Sequence, residues 1–350
     1  MLTIDLATAL SASPIPQIAI GADERIIAIN AAAEQLVGPE MVGRHYIRAV
    51  RQPSVLDEIE SSLSDGTRRE SRFLGRSGQR EAAYRVTIAP LVTDDQSRAV
   101  ILTFEDTSAI EDADKMRSDF IANLSHELRS PLTALMGFVE TLRGAARDDP
   151  AGRERLLIIM EREGRRMISL VEDLLSLSKV EATERQRPSD LVSLPQLVTN
   201  VTERLSPMTA QLGTEITAEI PSGFSPIPGD AGQLEQVISN LVENALRYGG
   251  GTPVHIRLSG PANEPLVRGP AVRITVSDEG SGIAQHHIPR LTERFYRVDD
   301  HRSRAAGGTG LGLAIVKHIV NRHRGRLRIE SKPGQGTTIT VLLPMGTPAT

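Results

Sequence analysis

Apolar side chains recur at intervals of three and four residues along two stretches in the middle of the chain. The first stretch carries Ile121, Leu124, Leu128, Leu132, Leu135, Val139 and Leu142. The second carries Leu156, Met160, Met167, Leu170, Val171, Leu174 and Leu177. This spacing places one apolar stripe on each of two α-helices. The loop over residues 144–150 contains Asp and Pro residues, so the pattern predicts an antiparallel helical hairpin.

A single hairpin has too few helices to bury both apolar stripes. Two hairpins packed together bury the stripes in a four-helix bundle, and a second copy of the same chain is the simplest source of the second hairpin. We therefore expect a homodimer that forms through residues 109–185.

The first hundred residues carry short apolar runs that are typical of strands. Two runs flank Gly21–Glu24 and predict a β-hairpin, and a helical stretch follows over 31–36. Three further strand-like runs cover 70–74, 81–91 and 97–106. The order β-β-helices-β-β-β resembles that of PAS sensor domains, which implies a PAS-like α/β domain over residues 1–108. A dimerising spacer that binds no ligand would show the same pattern.

The last part of the chain, residues 186–350, mixes strands and helices. The expected strands are 215–220, 254–258, 272–277, 326–330 and 337–343, and the expected helices are 194–212, 231–248 and 313–323. This mixture predicts a two-layer α/β sandwich, and hence a multidomain α+β protein overall. The polar, unpatterned segment Glu181–Asp190 is expected to be a linker.

Composition excludes several classes of function. The net charge is −4, so we expect no direct binding of nucleic acid. The chain has no cysteine, which excludes disulfides, thiolate metal sites and cysteine redox sensing. No stretch approaches the ~20 apolar residues that a transmembrane helix needs. We therefore expect a cytoplasmic chain, either by itself or as the cytoplasmic portion of a membrane-anchored protein.

His126 lies between two positions of the first apolar stripe. Two residues correspond to a rotation of about 200° along a helix, so His126 is expected to point away from the apolar seam. A neutral imidazole is a competent nucleophile, and the adjacent Glu127 could accept its ring proton or orient the ring. An isolated exposed histidine is nevertheless more often an ordinary surface residue.

The residues around His126 favour a functional role over an ordinary surface position. Segment 120–133 reads Phe-Ile-Ala-Asn-Leu-Ser-His-Glu-Leu-Arg-Ser-Pro-Leu-Thr and resembles the phosphoacceptor motif of two-component sensor histidine kinases. The resemblance implies that His126 is phosphorylated, that Glu127 acts as the base, and that a response-regulator receiver domain accepts the phosphoryl group. Ser130 stands where many members carry the Thr or Asn that orients water for dephosphorylating the regulator.

Two asparagines lie four residues apart on one face of a predicted helix, Asn240 and Asn244. Asparagine is disfavoured inside helices, whereas its amide oxygen is a suitable ligand for Mg²⁺. The segment Gln236–Tyr248 resembles the N-box of the same kinases. This implies that Asn244 binds Mg²⁺, with Asn240 beside it, that Arg247 contacts phosphate, and that Tyr248 belongs to the nucleotide site.

Glycine-containing segments complete the resemblance. Val276–Ile283 resembles the first glycine box, which implies that Asp278 accepts a hydrogen bond from the adenine amino group. Glycines allow the backbone to approach the base closely. Segment 307–316 resembles the second glycine box, a loop that runs into a helix and favours phosphate. The implied ATP-site residues in these two boxes are Gly280, Gly282, Gly308, Gly310, Leu311 and Gly312.

Three weaker matches surround these boxes. Leu291–Arg297 resembles the F-box, although Thr292 occupies a position that is usually aromatic. Residues 298–306 resemble the mobile ATP lid. Gly334–Thr337 resembles the last glycine box, in which Thr337 is an implied ATP contact and the turn itself joins two strands.

These motifs occur in the family's order over about residues 109–345. They imply a sensor histidine kinase with a dimerisation and phosphotransfer domain (109–185) and a Bergerat-type domain (186–350) that binds ATP and Mg²⁺. The layout resembles that of phosphate-regulon sensors. Two alternatives are an ATP-driven clamp of the gyrase and chaperone type, which lacks the phosphoacceptor motif, and an inactive scaffold, which requires a broken motif.

Overall fold

The computed structural model describes residues 6–77, 80–92, 98–184, 186–267, 269–298 and 308–345. The chain divides into two compact units, Met1–Ile121 and Ala122–Thr350. Among the described residues, no helix combines the length and the apolar character that crossing a membrane requires.

The first unit is built on a five-stranded antiparallel sheet. Its strands are β1 (Gln17–Ile20), β2 (Ile26–Ile29), β3 (Arg69–Ser77), β4 (Arg80–Val92) and β5 (Arg98–Asp106), and its helices are α1 (Leu6–Ser11), α2 (Ala31–Val37) and α3 (Pro53–Asp65). The strands lie in the order β2-β1-β5-β4-β3. Because side chains alternate between the faces of a strand, Ile18 and Ile20 enter the same core as Val55 and Ile59 of α3. The order of elements matches the sequence prediction, and the PAS assignment itself stays a prediction.

Two long helices follow, α4 (Ser108–Arg143) and α5 (Pro150–Thr183). Asp149 caps α5 by accepting a hydrogen bond from the Gly152 amide at 3.0 Å, and Pro150 occupies the first helical position. The predicted hairpin is therefore confirmed. Its apolar stripes are only partly covered within one chain, because Leu170 and Leu177 are buried whereas other stripe residues stay exposed.

The rest of the second unit is a two-layer sandwich, as predicted. Its helices are α6 (Leu194–Leu212), α7 (Ala231–Tyr248) and α8 (Gly312–Arg322), and its main strands are β7 (Ile216–Glu219), β9 (Val254–Glu264), β10 (Gly269–Asp278), β11 (Arg326–Ser331) and β12 (Thr337–Pro344). The short strands β6 (Leu191–Val192) and β8 (Ile227–Pro228) pair separately. The main sheet has the order β11-β12-β10-β9-β7; β7 and β9 run parallel, and the other neighbouring strands are antiparallel.

One sequence expectation needs correction. The segment Glu181–Asp190 is not simply a linker, because α5 continues to Thr183 and the following turn is tied to α8. The Arg322 guanidinium donates to the carbonyl oxygens of Thr183 and Gln186 at 3.2 and 3.1 Å. The sequence of this segment shows no apolar periodicity because its contacts are made with a charged side chain, Arg322, that is distant in sequence.

Candidate active site

A cavity of about 470 Å³ lies in the second unit, beside α7, the loop that precedes α8, and the ends of β10 and β12. Most of the predicted nucleotide residues line it: Asn240, Asn244, Arg247, Tyr248, Asp278, Gly282, Gly308, Gly310, Gly312 and Thr337. The tertiary structure thus gathers residues that are separated by almost one hundred positions in the chain.

Two predicted residues, Gly280 and Leu311, support the cavity and are not part of its lining. Leu311 is fully buried under the loop, which explains an apolar side chain between two glycines. A Cβ atom on Gly280 would lie 2.7 Å from the Gly249 Cα atom and 2.8 Å from the Tyr248 carbonyl oxygen. Only glycine therefore lets the end of α7 approach the turn after β10.

One end of the cavity is apolar and contains a single carboxylate. Asp278 ends β10 and accepts a hydrogen bond from the Gly280 amide at 2.9 Å. Burial raises the pKa of Asp278, and the hydrogen bonds from the backbone of Gly280 and Thr337 oppose that rise. The cavity that contains this carboxylate is also lined by aliphatic side chains, which include Leu241, Val276, Ile283, Ile329 and Ile339. An apolar slot with one carboxylate acceptor suits an aromatic base that carries an amino group.

Two glycine turns are held together beside this slot. Gly282 and Gly336 both have positive φ, and a Cβ atom on either would lie 1.9 Å from a carbonyl oxygen of the opposite turn or strand. The Gly334 amide also donates to the Ser281 carbonyl oxygen at 2.7 Å. The last glycine box is therefore more than a hairpin, because it fixes the turn that follows Asp278.

The other end of the cavity is formed by the glycine-rich loop and α7. Gly310 has a φ of 72°, and its carbonyl oxygen accepts from the Phe295 amide at 2.9 Å. The loop leads into the N-terminus of α8, where amide groups and the helix dipole favour anions. Asn240 donates to the Gly312 carbonyl oxygen at 3.3 Å, which anchors α8 to α7. Asn244 lies one turn farther along α7, on the wall of the cavity.

Charged side chains flank this end. The Arg247 guanidinium pairs with the Glu243 carboxylate at 3.1 Å, one turn earlier on α7. Both residues line the cavity, so Arg247 lies within reach of an anionic group there. An amide oxygen, an arginine and a glycine loop at a helix N-terminus together fit a metal-bound polyphosphate.

Helix α5 also contributes to the cavity through Ser169 and Asp173. The Thr309 hydroxyl of the glycine-rich loop donates to the Asp173 carboxylate at 2.6 Å. Sequence reasoning did not find this contribution. Asp173 stands among apolar stripe residues without a motif of its own, so no local signal marked it.

The candidate phosphoacceptor lies elsewhere in the same unit. His126 and Ser130 are both exposed on α4, in agreement with the predicted orientation of the histidine. The Glu127 carboxylate is half-buried and pairs with Arg166 of α5 at 2.9 Å. Within the described part of the chain, the cavity lining does not include His126.

The remaining sequence candidates are only partly described. Of the predicted lid, 298–306, only Val298 is described, and it lines the cavity; residues 299–306 lie outside the described residues. In the F-box region the Tyr296 hydroxyl is 2.6 Å from His287 Nδ1, and the Arg290 guanidinium lies over the Tyr296 ring.

Comparison with protein families identifies two parts of the chain. Residues 116–183 match the His Kinase A (phospho-acceptor) domain. Residues 229–347 match the histidine kinase-, DNA gyrase B- and HSP90-like ATPase.

Known proteins extend this similarity. The chain is 32% identical over 337 residues to the sensor-like histidine kinase SenX3 of Mycobacterium bovis, covering 95% of this chain and 78% of that protein. It is 39% identical over 246 residues to the phosphate regulon sensor protein PhoR of Pseudomonas aeruginosa, covering 70% of this chain and 54% of PhoR. This chain therefore spans only about half the length of that relative.

A solved structure supports the fold over almost the whole chain. The crystal structure of histidine kinase ThkA in complex with the response regulator protein TrrA covers 98% of this chain and 99% of that chain. Its TM-score is 0.51 and the sequence identity is 20%. The motif order, the gathered cavity and the extended similarity to SenX3 lead to one conclusion: this chain belongs to the sensor histidine kinase family.

Proposed function

We propose that this chain binds Mg²⁺-ATP in the cavity, phosphorylates His126, and passes the phosphoryl group to an aspartate of a response-regulator receiver domain. The observation that carries the proposal is the composition of the cavity. It combines a base slot that ends in Asp278 with a polyphosphate end formed by Asn244, Arg247 and the glycine-rich loop.

The chemistry follows from the groups on α4 and α7. A ring nitrogen of His126 attacks the terminal phosphorus, and the bond to the bridging oxygen breaks as ADP leaves. Bound Mg²⁺, held by Asn244 and phosphate oxygens, would neutralise the charge that develops on the leaving group. Glu127 is the candidate base, and its ion pair with Arg166 holds it on the side of α4 that faces α5.

Phosphoryl transfer requires a rearrangement from the present arrangement. The polyphosphate end of the cavity faces Asp173 of α5, whereas Glu127, the neighbour of His126, lies opposite Arg166. Asp173 lies seven positions after Arg166, which is about 10 Å along a helix. Either the ATP-binding part shifts along the hairpin, or the histidine of a second subunit is the acceptor.

A labelling experiment tests the proposal. Incubation with ATP labelled on its terminal phosphate should give protein-bound label that is lost in acid and stable in base. The variant His126→Gln should take up no label and should still bind ATP. Label retained by this variant would exclude His126 as the acceptor, and release of free phosphate alone would favour the clamp alternative.

A second variant tests the metal site separately. Asn244→Ala should lose the Mg²⁺-dependent part of ATP binding while keeping the binding of adenosine. Wild-type affinity for Mg²⁺-ATP in this variant would exclude Asn244 as the metal ligand. Unchanged adenosine binding serves as the control for correct folding.

We further propose a PAS-like sensor role for residues 1–108 and phosphatase activity that depends on Ser130. The similarity to PhoR supports phosphate-regulon signalling as the physiological context. Transfer of label from phosphorylated protein to each response regulator of the source genome tests this context. Rapid transfer to a regulator outside phosphate control would contradict it.

A further inference from the structure

Helix α5 carries a second, polar face in addition to its apolar stripe. Ser169, Asp173 and Ser176 follow one another at intervals of four and three residues, so they share one face of the helix. Ser169 and Asp173 line the cavity, and the Ser176 hydroxyl donates to the side-chain oxygen of Gln236 on α7 at 2.8 Å. This face therefore docks α5 against the wall of the nucleotide cavity.

Asp173 occupies the most consequential position on that face. Its carboxylate accepts the Thr309 hydroxyl at 2.6 Å, and Thr309 lies between two glycines of the phosphate-binding loop. Burial raises the pKa of Asp173, and the Glu243 and Glu172 carboxylates add to that rise, whereas the hydrogen bond from Thr309 and the charge of Arg247 oppose it. The Asp173 carboxylate therefore lies at the end of the cavity where the glycine-rich loop favours anions.

We propose that Asp173 positions the phosphate-binding loop: it ties the loop to α5, and a bound triphosphate must displace this tie. The inference rests on the proposed ATP site. Two negative groups cannot share the loop without strong repulsion, because the site is partly withdrawn from water. Binding of the triphosphate and docking of α5 therefore oppose each other.

The hydrogen bond between Thr309 and Asp173 therefore affects catalysis as well as binding. Triphosphate binding and docking of α5 influence each other equally. If the triphosphate weakens docking, docked α5 weakens binding of the triphosphate by the same factor. Release of α5 frees the ATP-binding part to approach His126. Adenosine carries no phosphate, so it should bind without disturbing the tie.

Isosteric substitution separates the charge of Asp173 from its hydrogen bond. Asp173→Asn keeps an oxygen that accepts from Thr309 and removes the negative charge. We expect this variant to bind Mg²⁺-ATP about three to ten times more tightly than wild type, because one like-charge repulsion is removed. Adenosine affinity should stay within about twofold. Glu172→Gln is the matched control, since Glu172 is the exposed neighbour and the change in net charge is the same.

Docking can be measured directly because the chain has no cysteine. A protein carrying Ser176→Cys and Gln236→Cys should be joined by a short thiol-reactive crosslinker, since the wild-type side chains are in contact. Mg²⁺-ATP should slow this crosslinking at least threefold, and adenosine should leave it unchanged.

The outcomes distinguish this inference from the function on which it rests. Equal ATP affinity in Asp173→Asn, Glu172→Gln and wild type would overturn the inference, as would crosslinking that is insensitive to Mg²⁺-ATP. Failure of wild-type protein to bind ATP at all would overturn the proposed function instead. Adenosine binding by Asp173→Asn shows that the variant is folded.

Discussion

His126 and Ser130 lie about one helical turn apart on the exposed surface of α4. The two proposed activities use this surface differently. Autophosphorylation requires the imidazole as a nucleophile, whereas dephosphorylation of a regulator requires a water held in line with an aspartyl phosphate. A hydroxyl can both donate and accept, so Ser130 is suited to orienting that water.

Ser130→Ala should therefore lower phosphatase activity about tenfold or more, which corresponds to losing one positioned hydrogen bond of ~1–3 kcal/mol. Autophosphorylation should change much less, because the nucleophile is untouched and alanine favours helix. Decay of the phosphorylated regulator and the rate of autophosphorylation are measured side by side. An equal loss of both activities would assign Ser130 a structural role instead.

His323 is a buried histidine, and one of its hydrogen bonds requires the neutral form of the ring. Its Nε2 atom accepts from the Asp230 amide at 3.0 Å, and its Nδ1 atom lies 2.8 Å from the Ile319 carbonyl oxygen. Burial lowers the pKa of His323, and the Arg322 and Arg187 charges add to this effect, whereas the Ile319 hydrogen bond and Asp230 oppose it. Protonation would remove the acceptor that holds the start of α7.

The free energy of unfolding should consequently depend on pH. The unfolded histidine binds a proton near pH ~6.5, whereas the folded one does so only at lower pH. Stability from this group is full above pH ~6.5 and falls as the pH drops, by at most about 1.4 kcal/mol per pH unit. Urea unfolding of His323→Gln should show a smaller slope. A flat wild-type profile, or an unchanged slope in His323→Gln, would contradict the assignment.

At the scale of elements, α5 presents different surfaces to different neighbours. Leu170 and Leu177 are buried, whereas Asp173 and Ser176 contact the ATP-binding part. The C-terminal end of the helix adds an ionic contact, since Glu181 pairs with both Arg294 and His318. Successive turns of α5 therefore contact the ATP-binding part, and these contacts join the hairpin to the nucleotide cavity.

Arg322 of α8 secures the end of α5. Its guanidinium contacts two carbonyl oxygens in the turn that follows α5 and pairs with Asp230 at 3.1 Å, while the side chain is only 13% exposed. Arg322→Ala should lower the free energy of unfolding by about 1–3 kcal/mol, because several hydrogen bonds to a charged group are lost. It should also speed cleavage after Glu184 by a glutamate-specific protease, because the turn that follows α5 loses its contacts with α8. Arg328→Ala, in an exposed ion pair, is the control and should change both measurements little.

At the scale of the whole molecule, the hairpin leaves a large apolar surface uncovered. Exposed side chains on α4 and α5 include Leu132, Met136, Leu157, Ile158, Ile168 and Leu175. Exposed apolar groups at this density mark an interface, and a second hairpin would cover them as a four-helix bundle. We therefore propose that the chain is a homodimer.

Met136→Glu combined with Ile168→Glu should convert a dimer into a monomer, because each dimer would bury four unpaired carboxylates. Sedimentation equilibrium gives the mass directly. Leu266→Glu is the control, since Leu266 is similarly exposed but lies outside the hairpin. A monomeric wild-type protein, or a double variant that remains dimeric, would contradict the proposed interface.

Local patterns were sufficient to predict most elements of this protein. The apolar stripes predicted α4 and α5, and the bounds predicted for α6 and α7 match the structure. Contiguous motifs predicted roles for His126, Asn244, Asp278 and the glycine-rich loop, because the residues of each motif lie within a few positions of one another; these roles stay predictions. Helix α3 was not among the named expectations, although Pro53 and Gly66 bound it.

Only the tertiary structure determined how distant segments contact one another. Asp173 entered the nucleotide cavity because α5 lies against the glycine-rich loop, and its partner Thr309 is 136 residues away. The ion pair of Glu127 with Arg166 and the contacts of Arg322 are similarly non-local. Sequence periodicity records which face of a helix is apolar. It does not record which charged partner meets the polar face, since that depends on chain segments brought together only by folding.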